Sequence, residues 1–163
     1  MKSSIYIETS IPNFYYEGRS EPNRVARREW TREWWDTFAT SFVLHSSDAV
    51  IVELDRGMLE ELKTQRIKLI SGLPLLEITD DVLEVGRIYV ERLVMPRDGA
   101  GDALHLALAS FYEMDVLLTW NCKHLANPNK FGHIDRVNEE LGLTSPLLTT
   151  PLNYLSEDET DGE

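Results

Sequence analysis

Four short polar groups stand where apolar runs end or helix-like runs begin. They are Ile5-Tyr6-Ile7-Glu8-Thr9-Ser10, Val50-Ile51-Val52-Glu53, Gly101-Asp102-Ala103-Leu104-His105-Leu106-Ala107 and Leu117-Leu118-Thr119-Trp120-Asn121. In an open α/β sheet, ligands sit outside the carboxyl ends of the strands. Three carboxylates and a carboxamide gathered there repel one another unless a hard divalent cation neutralises them. Metal-assisted chemistry on a phosphate is the first expectation.

Each residue also has a plainer reading. Glu8, at the point where a strand leaves the sheet, could cap the next turn. Glu53 has apolar neighbours in Val50, Ile51, Val52 and Leu54, and a buried acid needs a partner, which a structural salt bridge would provide. Asp102 and His105 are three apart and share a helix face. Asp102 falls in a first helical turn, where it could serve equally as an N-cap. His105, among Leu104, Leu106, Ala107 and Leu108, reads as a core histidine bonded to backbone and not as a ligand. Asn121 could be a turn residue.

Positioning these groups requires alternating strands and helices, the pattern of an α/β fold with a central parallel sheet. Strands are expected at Ser4–Glu8, Ser41–Ser46, Leu75–Ile78, Val116–Thr119 and Leu147–Thr150. Helices are expected from Pro22 to Thr40, from a Ser47 or Asp48 cap to about Lys63, over Gln65–Ser71, from a Thr79-Asp80-Asp81 cap to about Val94, over Asp102–Glu113, and over Lys130–Leu141 with Gly142 as C-cap. Ile11–Gly18 reads as a loop or irregular helix start. Trp30, Trp34 and Phe38, four apart, form an apolar stripe for packing within the fold or across a dimer.

A second set of residues concerns binding. Arg24, Arg28 and Arg32 are four apart, with Arg27 beside them and Arg19 just upstream. Arginine clusters suit phosphate contacts, although pairing with Glu29 and Glu33 on a solvated face is an equal alternative. Lys123-His124 and His133 could add contacts near Asn121. Phe14, Tyr15 and Tyr16 could stack on an unpaired base or close the core.

Bulk properties narrow the class. With 163 residues, a net charge of −12 and ordinary hydrophobic content, the chain is expected to form one domain over residues 1–155. Residues 156–163 hold five acids and no apolar side chain, so an acidic, disordered tail is expected there. The rest carries a net charge of −7, which weakens a nucleic-acid reading without removing it. No apolar run reaches the ~20 residues of a membrane helix. The lone Cys122 excludes an internal disulfide and fits a cytoplasmic setting.

Taken together, these blocks resemble the PIN-domain family, and more narrowly the VapC-like toxins of type II toxin–antitoxin modules. The resemblance runs from about Ser4 to Leu155. It rests on Ile5–Ser10, Val52-Glu53-Leu54, Gly101–Ala107 and Leu118–Asn127, the last two blocks being the more specific. It implies a three-layer α/β/α fold and a Mg²⁺- or Mn²⁺-dependent endoribonuclease. The family's acids fall on Glu8, Glu53 and Asp102 as metal-binding residues, and the place often held by a fourth acid falls on Asn121, with Thr119 beside it. Glu8 and Asp102 would then be direct ligands, Glu53 a ligand or a water-orienting group, and Asn121 a positioner of water or phosphate. Arg24, Arg27, Arg28, Arg32, Thr119 and Lys123 would contact RNA. A small antitoxin and a homodimer are the implied partners. Two positions depart from the family pattern: Glu8 stands where Asp is usual, and Asn121 removes a charge. The alternative they suggest is a catalytically weakened PIN-like domain that binds RNA or protein. A receiver-like phospho-acceptor domain would need a phosphorylatable Asp at a strand end, and none is evident.

Overall fold

A computed structural model describes residues 2–57 and 59–155; the expected acidic tail, 156–163, lies outside the described residues. Five strands form the framework: β1 (Ser4–Ile7), β2 (Val43–Ser47), β3 (Leu75–Leu76), β4 (Val116–Leu118) and β5 (Leu147–Thr149). They pair in the order β3-β2-β1-β4-β5, and every pairing is parallel. Helices flank this sheet, giving the expected α/β/α architecture. They are α1 (Ser10–Tyr15), α2 (Pro22–Phe38), α3 (Asp48–Asp55), α4 (Glu60–Ile70), α5 (Asp80–Glu91), α6 (Ala100–Phe111) and α7 (Pro128–Leu141).

The central strand explains the pattern. Ile5, Tyr6 and Ile7 are all fully buried, as a strand covered by helices on both faces must be. Leu117 and Leu118 of the neighbouring β4 are buried equally. Strand order reverses between β1 and β4, so the crevice at their carboxyl ends is the switch point where α/β folds place ligands. Glu8 follows β1 and Thr119 follows β4 at that crevice.

Local signals set most boundaries. Pro22 opens α2 at its first turn, and the Thr79 hydroxyl accepts from Val82 N at the start of α5. Gly142 closes α7 with φ of 72°, a left-handed conformation in which a Cβ is strained. One expected element differs. The helix from Ser47 to Lys63 is two helices, because α3 ends at Asp55, Gly57 follows, and Leu59 is extended before Glu60 and Glu61 open α4. The Gln65–Ser71 segment belongs to that same α4. The Ile11–Gly18 stretch contains the short helix α1. Ser47 does not cap α3 through its side chain; its hydroxyl is used elsewhere, as described below.

The aromatic stripe of α2 packs within the fold. Trp34 is fully buried and stacks on Phe42, with Tyr154 edge-on, while Trp30 stacks on Trp120. Among the described residues no helix is long and apolar enough to cross a membrane. Replacing Trp34 with Ala removes the central ring of this cluster and should cost about 3–5 kcal/mol. Urea denaturation should show a lower midpoint with little change in slope.

Candidate active site at the carboxyl edge of the sheet

Glu8 lies at the bottom of the crevice and is almost wholly buried. Its Oε2 accepts three hydrogen bonds, from Ser10 N at 2.9 Å, Ser10 Oγ at 2.5 Å and Thr119 Oγ1 at 2.9 Å. Its Oε1 accepts none among the described residues and is not sealed from solvent. Burial pushes the Glu8 carboxyl above the usual range, and the charge of His105 and the bonds from Ser10 and Thr119 only partly offset it. A buried carboxylate with one uncommitted oxygen is a group that a cation would relieve.

Glu53 comes from the last turn of α3 and is half-buried. Burial raises its carboxyl, but the hydrogen bond and charge of His105, followed by the Thr9 bond, outweigh this and hold it below the ordinary value. Glu53 Oε1 accepts from His105 Nε2 at 2.8 Å, and Oε2 accepts from Thr9 Oγ1 at 2.5 Å. Gly101, at the start of α6, makes room for it. A Cβ at that position would stand 2.9 Å from Glu53 Oε1, closer than side-chain packing allows.

His105 is the residue the sequence undervalued. It is buried, as expected, yet its partners are side chains and not backbone. Nδ1 meets Tyr6 Oη at 2.7 Å, and Tyr6 Oη meets Ser47 Oγ at 2.8 Å. A polar chain thus runs Ser47–Tyr6–His105–Glu53–Thr9 through β2, β1, α6, α3 and the turn after β1. With neutral His105, Nε2–H donates to Glu53 and Tyr6 donates to Nδ1; the proton positions follow from this bonding pattern. Burial lowers the imidazole value, but the Glu53 bond and the charges of Glu53, Glu8 and Asp102 together raise it. The one sequence signal was Tyr6 between Ile5 and Ile7 in a buried strand, since a buried tyrosine hydroxyl needs a partner.

Asp102 occupies the first turn of α6, two residues inside it and so not at its cap. It is half-buried, and its charge acts on both His105 and Lys130. Burial lowers the Lys130 ammonium, with Asp102 opposing. Among the described residues no three of His, Cys, Asp and Glu are gathered into a ready-made metal cage. The donor chemistry still suits a hard cation: Glu8 has a free oxygen and Asp102 has no hydrogen-bond partner among the described residues. Both of Glu53's oxygens are already bonded.

The other expected residues are placed as follows. Asn121 Oδ1 accepts from His124 N at 2.9 Å and so organises the turn after β4. Thr119 is fully buried and bonds Glu8, with Asn121 N donating to its hydroxyl. Arg24 pairs with Glu17 and Glu21, and Arg28 with Glu29. Arg32 Nε donates to the Tyr15 carbonyl. Arg27 lies over the Phe14 and Trp120 rings. These α2 arginines mostly bind the α1 segment to the fold. Lys123 is exposed on the turn after β4. A cleft of about 900 Å³ opens beside Ser10 and Glu53.

The Glu53–His105 pair has a definite pH signature. A raised His105 stabilises fully below its ordinary value of 6.5 and loses that contribution as pH rises through its folded value. A lowered Glu53 stabilises above 4.5 and loses the contribution as pH falls through its folded value. With a chelator present, His105→Gln should therefore cost most between these two ordinary values, about 1–3 kcal/mol. The difference from wild type should shrink on either side, measured by urea denaturation across pH. A difference that does not vary with pH would contradict the pairing.

Comparison of the sequence with models of known protein families and with curated proteins finds no match, so a functional reading rests on this geometry.

Proposed function

We propose that the protein is a divalent-metal-dependent endoribonuclease of the PIN type, acting in the cytoplasm as the toxin of a type II toxin–antitoxin pair. The observation that carries the reading is the set of acids around the β1–β4 switch point. Glu8 just after β1, Glu53 of α3 and Asp102 of α6 all act electrostatically on one buried histidine. An antitoxin that covers the site and a homodimer belong to the same reading.

In this reading Glu8 and Asp102 would hold Mg²⁺ or Mn²⁺. Such an ion would supply Lewis-acid polarisation of the phosphate and a more acidic water. Glu53, fixed by His105 and Thr9, orients the attacking water by hydrogen bonding. Ser10 and Thr119 hold the Glu8 carboxylate in place. The Asn121 side-chain NH₂, on the opposite end of an amide whose oxygen is anchored, is a donor for a phosphate oxygen.

A second reading, a PIN-like domain that binds RNA or protein with weakened catalysis, is favoured by one specific observation. Asn121 contributes no charge, and its oxygen is committed to the turn. Titration of Mn²⁺ by calorimetry separates the two readings, since micromolar affinity belongs to the enzyme.

Asp102→Asn should reduce divalent-dependent cleavage of single-stranded RNA by about 100-fold or more while circular dichroism is unchanged. Unaltered cleavage in that variant would remove Asp102 from the site. Gly101→Ala tests the position of Glu53. The added methyl must displace a carboxylate that two bonds hold, so cleavage should fall about 10- to 100-fold. Stability should change little or fall slightly, because the roughly 1 kcal/mol by which Ala suits a helix better than Gly is offset by strain on the Glu53–His105 bond, worth about 1 kcal/mol or more.

A further inference from the structure

The cleft beside Glu53 has a charge balance unlike the rest of the chain. Arg19, Arg24, Arg56 and Arg66 line it, against Glu17 and Glu53. A protein of net charge −12 therefore gathers a local excess of cations next to its candidate site. Arg19 and Arg24 are both spoken for by Glu17, at 3.7 Å each. Arg56 and Arg66 make no ion pair among the described residues.

Arg66 is the more telling of the two. It reaches from α4 under the α1 segment, where Nη2 donates to the Asn13 and Tyr16 carbonyls at 3.3 and 3.4 Å. Its Nε is buried without a partner among the described residues. Its Nη1 has no partner among the described residues and is not sealed off. A guanidinium held only by two long bonds to carbonyls keeps most of its charge unneutralised, and its planar edge suits phosphate. Arg56 ends α3 one turn beyond Glu53 and is exposed. Phe14, Leu59 and Leu62 give the same cleft an apolar lining. Cations beside an aromatic and apolar surface are the combination that binds a single strand, with phosphates on the arginines and a base against the ring.

We infer that this cleft is the binding track for a single-stranded polynucleotide, with Arg56 and Arg66 contacting the phosphates that flank the reacting one. This assigns phosphate binding to the end of α3 and to α4 and not to the outer arginines of α2, which the structure engages in packing. The inference deepens the nuclease reading and rests on it for the direction in which the strand enters the site.

The test uses the full chain with a chelator to prevent turnover, and fluorescence anisotropy of a labelled single-stranded RNA oligonucleotide. Arg56→Ala and Arg66→Gln should each weaken binding about five- to tenfold and lower the salt slope by about one. Arg87→Ala, on the outer face of α5, should leave both unchanged. Arg56→Glu, at an exposed position that does not threaten folding, should weaken binding further. Wild-type protein that does not bind the strand, or cleft variants that bind like wild type, would overturn the inference. So would an acidic peptide of equal charge that binds as tightly with the same dependence on Arg56, since the cleft would then be a protein-docking site. Cleft-dependent binding without divalent-dependent cleavage would leave this inference standing and remove the nuclease reading. Cleavage with a KM indifferent to Arg56 and Arg66 would do the reverse.

Discussion

The hydrogen bond between Glu53 and His105 is the contact on which the site's geometry depends. It joins α3 to α6 across the carboxyl edge of the sheet and holds a half-buried carboxylate in a defined direction. Breaking one partner of such a pair leaves a desolvated group without compensation, so the arrangement is all-or-nothing. Behind it, Tyr6 and Ser47 fix the imidazole from the opposite side. The chain of bonds therefore fastens a strand-end site to the centre of the sheet.

Glu8 is treated differently by the fold. Three donors converge on one of its oxygens, yet burial still wins and pushes the carboxyl up. Two acids whose charges act on the same histidine thus have opposite environments. Glu53 is stabilised as an anion, and Glu8 is left short of positive charge. Such separation of two titratable groups is the usual mark of assigned roles. The acids also explain Gly101, whose missing side chain lets α6 approach Glu53 closely.

Charge is distributed with the same economy. The arginines of α2 lie against α1, where they satisfy carbonyls, acids and rings. This anchors the segment that carries Ser10 and forms one wall of the cleft. Arg56, just after α3, and Arg66 of α4 make no ion pair among the described residues and line the same cleft. A count of arginines along the chain does not register which ones the fold engages in packing.

Much was legible in the residues. The apolar runs around Tyr6 and Leu117, the Pro22, Thr79 and Gly142 boundary signals, and the alternation of strands and helices determine a parallel α/β sheet. They also determine that Glu8 and Thr119 share one edge, because strand ends in such a sheet share a side. What tertiary structure alone decided is who bonds to whom. His105 and Glu53 are 52 residues apart, and no local period links them. The break after Asp55 was concealed by helix formers on both sides of Gly57, and the use of the Ser47 hydroxyl by Tyr6 depends on strand register. Sequence carries periodicity and local capping, which act over a few residues. The partner of a buried polar group is chosen by packing across the sheet, and only the folded chain brings those groups within reach.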